Sequence, residues 1–322
     1  MLRYAFVLPL LAGLALAQEE SAQTHDLWMQ DFAAAKAKAK AEKKDLLVDF
    51  TGSDWCIWCQ RLDDEVFGKD EFKKSAPSTF VLVKLDYPND QTKVTDEIRA
   101  QNEKLQEQYA IQGFPTILLM DHEGRVYAQT GYQQGGPAPY NTMLAELHQK
   151  GGAFKTALAA LEGKEGAERA KAIDALLKTV EEEVADNYHF DLMKEIVALD
   201  KDGKAGLLEK YGAKVKQKEI EKQTNEAAGE LRKLIGEHMQ NGEGDKAIAA
   251  LDDYLKKPKS KIHEQMGLFF KGMITMDTSG DAKAAIELLE KARGIDAESL
   301  IAKQIEQILP QIKAQAEQGG GK

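Results

Sequence analysis

The chain has 322 residues, a length that allows about two domains. Hydrophobic residues make up 43% of the composition and charged residues 30%, which is typical of a packed, soluble protein and argues against an intrinsically disordered chain. The formal net charge of −10 disfavours nucleic acid or an anionic membrane surface as the main partner.

The N-terminal segment has the pattern of a signal peptide over residues 1–17. A basic start at Arg3 leads into the apolar run Tyr4–Leu16, which ends in small residues. A membrane anchor is the alternative, but the run is short for a bilayer span. No cysteine follows the small residues, so a lipoprotein anchor is not indicated. We expect cleavage near Ala17–Gln18, a periplasmic or secreted protein without stable membrane insertion, and a compartment in which disulfides persist.

Residues 18–150 alternate between helical and strand patterns. In chain order, the predicted elements are a helix over Asp31–Lys44, a strand over Leu46–Phe50, a helix over Cys56–Phe67, a strand over Phe80–Leu85, a helix over Glu97–Tyr109, strands over Thr116–Met120 and Arg125–Thr130, and a helix over Tyr140–Lys150. A turn at Asp121–Gly124 should join the last two strands as a hairpin. This order predicts an α/β fold with a central mixed sheet flanked by helices.

The chain changes character after the pair Gly151–Gly152. Residues 153–317 show helical periodicity, are rich in alanine, leucine, lysine and glutamate, and contain almost no strand signal. We therefore predict an all-α second domain, either a helical repeat or a bundle. The glycine-rich residues 318–322 are expected to form a flexible tail.

A weak internal repeat lies inside this helical half. Gly-Asp turns begin at Gly244 and Gly280, and each precedes a segment with small and apolar residues on one side. Another amphipathic segment comes before each turn. Residues 225–298 therefore resemble tetratricopeptide-type helix pairs, although the aromatic positions of that pattern are mostly absent. An unrelated helical bundle is the alternative.

Cys56 and Cys59 are the two cysteines of the chain, and their spacing allows three roles. As a structural staple, the pair would close a loop too short to stabilise the fold much. As a metal site, it would supply two of about four ligands, and no histidine shows paired ligand spacing. As a reactive dithiol, Cys56 would lie at a helix start, where unpaired N–H groups favour a thiolate. Cys59, one turn later, would then attack a mixed disulfide formed at Cys56. This third role is favoured because both of its steps need this spacing.

Three segments resemble the landmark segments of the thioredoxin superfamily: Leu47–Phe50, Trp55–Cys59 and Tyr109–Leu119. Within the superfamily, the stretch around the dithiol is most similar to exported thioredoxin-like domains, such as the C-terminal domain of the thiol:disulfide interchange protein DsbD. The resemblance covers residues 26–150, under half of the chain. It implies a thioredoxin-like fold for this part.

The resemblance also implies catalytic roles. Cys56 matches the attacking cysteine and Cys59 the resolving cysteine, and the two would form a disulfide in the oxidised protein. Asp49 matches a buried acid that assists proton movement at the resolving cysteine. This match is looser, because one extra residue separates Asp49 from Cys56; an exposed aspartate at a strand end is the alternative.

Four residues are expected to bind the substrate. Pro115 matches the cis-proline of the family, which would let the backbone of Phe114 bond to an extended partner chain. Trp55 matches the tryptophan that packs beside the attacking sulfur. The residues between the cysteines are Ile57 and Trp58, not the Gly-Pro of a typical thioredoxin. Trp58 would therefore either cover part of the dithiol or offer an apolar surface to a substrate.

A group of acidic residues surrounds the dithiol in the sequence: Asp54, Asp63, Asp64 and Glu65. Negative charge near a thiol opposes its ionisation. We expect these carboxylates either to offset the effect of the helix start on Cys56 or to form an ordinary solvated helix side.

These observations predict an exported thiol–disulfide oxidoreductase that reduces disulfides of client proteins and is reset by an unidentified electron donor. No cofactor is expected, since the two cysteines carry the electrons themselves. The alternative is a scaffold whose helical domain recruits partner proteins, with the dithiol secondary or acting as a redox sensor. A peroxide-scavenging enzyme is less favoured, because the sequence has no motif for a peroxide site beyond the dithiol.

Overall fold

The computed structural model describes residues 27–319, and side chains as far as Glu317. The expected signal peptide lies outside the described residues. The chain forms two compact units. The first runs as far as Ala159 and also includes Leu176–Tyr188; the second comprises Ala160–Ala175 and the chain from His189 onward.

The first part of the chain contains all five strands of the described residues and five helices. In order they are β1 (Trp28–Met29), α1 (Phe32–Glu42), β2 (Asp45–Thr51), α2 (Ile57–Leu62), α3 (Asp70–Ser75), β3 (Phe80–Asp86), α4 (Asp96–Gln108), β4 (Thr116–Met120), β5 (Val126–Thr130) and α5 (Pro137–Ala159). The predicted elements are all present, with ends shifted by a few residues or, for α5, by more. The two-residue strand β1 was not predicted, because two residues are too few to show a periodic pattern.

The strands form one mixed sheet in the order β1-β3-β2-β4-β5. Strand β2 is parallel to β3 and antiparallel to β4, and β5 pairs with β4 as the predicted hairpin. Every residue of β2 is buried. Its run of apolar residues suits a central strand that is covered on both faces. The predicted mixed sheet with flanking helices is confirmed.

Helix α2 does not continue as a regular α-helix to Phe67, as the periodicity predicted. It passes into a π-helical turn over Asp63–Phe67. The extra residue of a π-turn allows the neighbours Val66 and Phe67 both to face the core, where they are fully buried. Gly68 closes the turn by donating its N–H to the Asp63 carbonyl, at 2.6 Å. A Cβ at Gly68 would lie 2.8 Å from that oxygen, so the turn requires glycine there.

The sequence predicted that helix α5 ends at Lys150. The helix instead continues through both glycines to Ala159. A Cβ at Gly151 would lie 2.6 Å from the ring of Tyr127 on β5, so this glycine permits close helix–sheet packing. One turn later, the Lys155 ammonium binds both carboxylate oxygens of Asp45, at 2.8 Å each. The glycine pair therefore marks a packing contact and not a helix end.

The two glycines should respond in opposite ways to alanine. Gly151→Ala should lower the free energy of unfolding by about 1–3 kcal/mol, because the new methyl group overlaps the Tyr127 ring. Gly152→Ala, with open space around its Cβ, should raise it by roughly 0.5–1 kcal/mol through the higher helix propensity of alanine. Urea unfolding followed by circular dichroism measures both. Equal effects would contradict the packing contact.

The rest of the described chain is helical, which confirms the all-α prediction. Its helices are α6 (Gly166–Leu177), α7 (Glu182–Tyr188), α8 (Phe190–Leu199), α9 (Leu208–Gln240), α10 (Gly244–Leu255), α11 (Lys261–Ser279), α12 (Ala282–Ile295) and α13 (Leu300–Gly319). Helix α7 belongs to the first unit, where Val184 enters the core of the sheet. Between residues 27 and 319, no helix has the length and apolar character needed to cross a bilayer.

The second unit is held together by contacts between successive helices from α8 to α13. Leu231, Leu251, Leu289 and Ile305, from four of these helices, share one buried core. The predicted turn at Gly280 ends α11 with a left-handed backbone conformation, and the next residue caps α12. The likeness of residues 225–298 to tetratricopeptide helix pairs stays a prediction. Residues 320–322 of the expected tail lie outside the described chain.

Candidate active site

The dithiol lies just beyond the end of the central strand. After β2 ends at Thr51, a short loop leads to Cys56, which is the N-cap residue of α2. The Cys56 sulfur accepts the N–H of Cys59 at 3.3 Å, and the two cysteines are joined by a disulfide. Both are buried, with 6% and 4% of their surface exposed. In this oxidised form, the two cysteines therefore differ little in exposure.

Hydrogen bonds from the β3 side fix the loop before Cys56. Asp86, the last residue of β3, accepts the N–H of Ser53 at 2.9 Å and its hydroxyl at 2.6 Å. The carboxylate of Asp54 accepts the backbone N–H groups of Asp90 and Asn89, both at 2.9 Å. These N–H groups hold the pKa of Asp54 below its ordinary value. The loop is thus anchored at two points, and one of the four expected acids serves as an anchor.

Three large apolar side chains around the dithiol are exposed: Trp55 at 46%, Ile57 at 59% and Trp58 at 49%. The indole N–H of Trp55 donates to the Tyr87 carbonyl at 2.8 Å. Its ring meets the ring of Phe114 edge to face, with centroids 5.6 Å apart. Trp55 is therefore held in one orientation although nearly half of its surface is open to solvent.

Trp58 packs against two neighbouring side chains. Its ring lies 5.3 Å from that of Tyr132 and 5.1 Å from the guanidinium of Arg61, a cation–π distance. Tyr132 in turn donates its hydroxyl to Glu65 at 2.7 Å. Trp58 forms an exposed apolar surface beside the dithiol helix.

The peptide bond between Phe114 and Pro115 is cis, as the resemblance implied. Both residues are half-buried, directly before β4 begins at Thr116. The Phe114 ring packs against Tyr87 and Trp55, which links this segment to the loop that carries Cys56. All four residues predicted to bind substrate are therefore at least partly accessible.

Asp49 lies inside β2, with 3% of its surface exposed. Within the described chain, its Oδ1 atom is buried without a hydrogen-bond partner. Asp49 and Cys59 both line a cavity of about 320 Å³. Burial raises the pKa of Asp49 to about 7; Lys84 acts against this shift, while Asp63 and Asp86 add to it. Asp49 is a buried acid, as expected, and it can gain or lose a proton near neutral pH.

Comparison with known proteins settles the family. Residues 32–147 match the family model of the thioredoxin-like domain. Disulfide bond reductase DsbH of Chlamydia pneumoniae is 33% identical over 129 residues, which is 40% of this chain and 77% of DsbH. The chain belongs to the thioredoxin-like family. The thioredoxin-related protein DsbJ of the same organism is 34% identical over 126 residues, which is 38% of this chain but 36% of DsbJ.

Two solved structures are also similar. A DsbH oxidoreductase shares 33% identity with a TM-score of 0.36, covering 37% of this chain and 82% of its own. The oxidised C-terminal domain of Neisseria meningitidis DsbD shares 19% identity with a TM-score of 0.25, covering 35% and 90%. These two relatives and two structures each cover 35–40% of this thioredoxin-like protein, and the family match ends at residue 147, before the helical unit begins.

The Cys56–Cys59 disulfide of this thioredoxin-like protein supports thiol–disulfide oxidoreductase activity, the third of the roles considered from the sequence. The acidic residues around it are mostly engaged elsewhere. Asp63 pairs with Lys84 at 3.3 Å and Glu65 with Tyr132, whereas Asp64 lines the cavity. Asp63 and Asp64 both line the cavity of Cys59, and Lys84 balances the charge of Asp63.

Lys84 and Tyr132 are two site residues that sequence reasoning did not single out. Lys84 had a signal: it is the one charged residue in the predicted strand Phe80–Leu85, and it stands beside Asp49 in the parallel register of β2 and β3. A charged residue in a buried strand needs a partner. Tyr132 follows the hairpin and had no comparable signal.

Proposed function

We propose that this protein reduces disulfide bonds in exported client proteins. The observation that carries the proposal is the disulfide between Cys56 and Cys59 at the start of α2, with the buried acid Asp49 in the cavity that Cys59 lines. The similarity to a protein named disulfide bond reductase supports net reduction over net oxidation. The sequence pattern of a signal peptide supports an extracytoplasmic location.

The reaction has two exchange steps that transfer two electrons. The Cys56 thiolate attacks one sulfur of a client disulfide; a Cys56–client bond forms, and the other client sulfur leaves as a thiolate. Cys59 then loses its proton to Asp49 and attacks the Cys56 sulfur. The Cys56–Cys59 bond forms, the Cys56–client bond breaks, and the second client thiolate leaves. The client gains two electrons, which an unidentified dithiol donor must return to the protein.

The client is proposed to bind across the dithiol as an extended segment. Trp55 and Trp58 offer half-exposed rings on either side of it, and each ring is held by neighbouring groups. A fixed aromatic surface gives contact area at low entropic cost. Phe114 and Pro115 supply backbone before β4 for hydrogen bonds to the segment.

Trapping of mixed disulfides tests the proposal. A Cys59→Ser variant stops the reaction after the first step, so clients should remain bound to Cys56 and be released by reductant. The variant with both cysteines replaced by serine is the control. Adducts found with Cys59→Ser alone, in an extracytoplasmic compartment, are the expected result. Equal recovery with the double variant, or no adduct at all, would overturn the proposal.

The reduction potential tests the direction of electron flow. Equilibration with glutathione should place the Cys56–Cys59 couple near that of thioredoxin, about −270 mV. A value near about −120 mV, as in the oxidant DsbA, would contradict net reduction. Such a value would leave the exchange reaction in place but reverse its biological role.

A further inference from the structure

The cavity beside Cys59 contains an ion pair that the exchange reaction above does not use. The Lys84 ammonium lies 3.3 Å from Oδ1 of Asp63. Lys84 is the register partner of Asp49 on the neighbouring strand, yet Oδ1 of Asp49 has no hydrogen-bond partner in the described chain. The lysine next to the buried acid is therefore engaged by a different carboxylate.

The position of Asp63 depends on the π-turn that follows the dithiol helix. Asp63 is the first residue of this turn, and its carbonyl accepts the N–H of Gly68 at 2.6 Å. From there its side chain lines the same cavity as Asp49, Cys59 and Lys84. The cavity, about 320 Å³ in volume and lined with polar groups, has room for several water molecules.

We propose that Asp63 is a positioning residue for proton transfer at Cys59: it holds the Lys84 ammonium at the cavity wall and so prevents a direct ion pair between Lys84 and Asp49. A direct pair would fix Asp49 as a carboxylate, since a nearby cation favours the charged form. With Lys84 held away, Asp49 can take the Cys59 proton in the resolving step and pass it to solvent through the cavity. The inference rests on the proposed role of Asp49.

The charged and titratable groups that face Asp49 come from several elements. Strand β3 supplies the cation Lys84 and the carboxylate of Asp86, and the π-turn supplies Asp63. Cys59 faces the same cavity from α2. Tyr140 on α5 is buried and stays neutral, because burial and the nearby Asp49 charge raise its pKa far above the ordinary value. Lys84 is the one cation in this set, and it is the group that opposes the effect of burial on the pKa of Asp49.

Carboxyl titration by ¹³C NMR on the oxidised protein tests the inference without reference to activity. Asp63→Asn should lower the pKa of Asp49 by about one unit or more, because Lys84 becomes free to approach it. Lys84→Met should raise this pKa above 7. In the Lys84→Met background, Asp63→Asn should have less than half of its effect, because no lysine remains to be released. Asp64→Asn, which removes a neighbouring carboxylate of the same cavity wall, is the matched control and should shift Asp49 least.

Two outcomes would overturn the inference. One is an Asp63→Asn shift of the same size with and without Lys84, which would mean that Asp63 acts through its own charge alone. The other is no shift at all. As a second readout, the acid limb of the rate of client release should move to lower pH in Asp63→Asn. Failure of mixed-disulfide trapping would instead remove the proposed function while leaving the carboxyl titration intact, so the two failures are distinguishable.

Discussion

The Cys56→Ser variant is expected to lose disulfide exchange by about 10³-fold or more. Serine does not ionise near neutral pH and cannot form a disulfide, so the first step has no nucleophile. Cys59 is not expected to take its place, because it lies within α2 and faces the cavity of Asp49, whereas Cys56 is the N-cap residue at the helix start. The loss should therefore be nearly complete, not partial.

Reduction of a fluorescent disulfide peptide measures this loss. Cys59→Ser is the informative partner variant, since it should form one stoichiometric adduct and then stop, whereas Cys56→Ser should form none. Circular dichroism checks that each variant is folded. Exchange within tenfold of the wild-type rate in Cys56→Ser would contradict the assignment of the nucleophile. Loss of exchange with retained partner binding and biological activity would favour the scaffold alternative.

The sequence was sufficient to predict the fold of the first unit because its signals are local. Strand β2 is a short, mostly apolar run, five residues separate β4 from β5, and the cysteine pair stands at a helix start. Each of these patterns lies within a few residues of chain. The cis bond at Pro115 was predicted from the family resemblance and not from its neighbours.

The features that the sequence did not predict depend on contacts between distant segments. The sequence predicts a helix that ends at Lys150, because it does not reveal that Tyr127 of β5 packs against Gly151. The π-turn at Asp63 depends on which side chains the core accepts. The Asp63–Lys84 pair joins two elements that are separate in sequence, the π-turn and β3.

Asp49→Asn is expected to stabilise the protein in a pH-dependent way. The pKa of Asp49 is about 7 in the folded protein, whereas an exposed aspartate, as in the unfolded chain, has a pKa of 3.8. Below pH 3.8 the carboxyl group is protonated in both the folded and the unfolded chain, so its burial does not lower the free energy of unfolding. As the pH rises toward 7, the unfolded chain releases this proton more readily, and the folded state loses stability. Above 7 the cost is constant. Three pKa units correspond to roughly 4 kcal/mol, an upper value because cavity water relaxes the penalty.

Asparagine has the same shape as aspartate and no charge, so it removes this cost. The gain in free energy of unfolding should be up to about 4 kcal/mol at pH 8 and well under about 1 kcal/mol at pH 4. The same variant should slow client release from Cys56 by about 10²-fold, because Cys59 loses its proton acceptor. Urea unfolding across this pH range and stopped-flow release of a fluorescent client measure the two effects. Equal stabilisation at both pH values would contradict the raised pKa.

Asp45 provides the matched control on the same strand. It is also buried, but its carboxylate accepts the Lys155 ammonium at 2.8 Å and the Tyr127 hydroxyl at 3.0 Å. Asp45→Asn should therefore destabilise the protein by about 1–3 kcal/mol at neutral pH, since it removes a charge whose partners remain in place. The same change, aspartate to asparagine, is therefore expected to change the free energy of unfolding in opposite directions at the two buried aspartates of β2. Asp45 is satisfied and contributes stability, whereas Asp49, whose Oδ1 has no hydrogen-bond partner within the described residues, lies at the cavity of Cys59, where it can exchange protons.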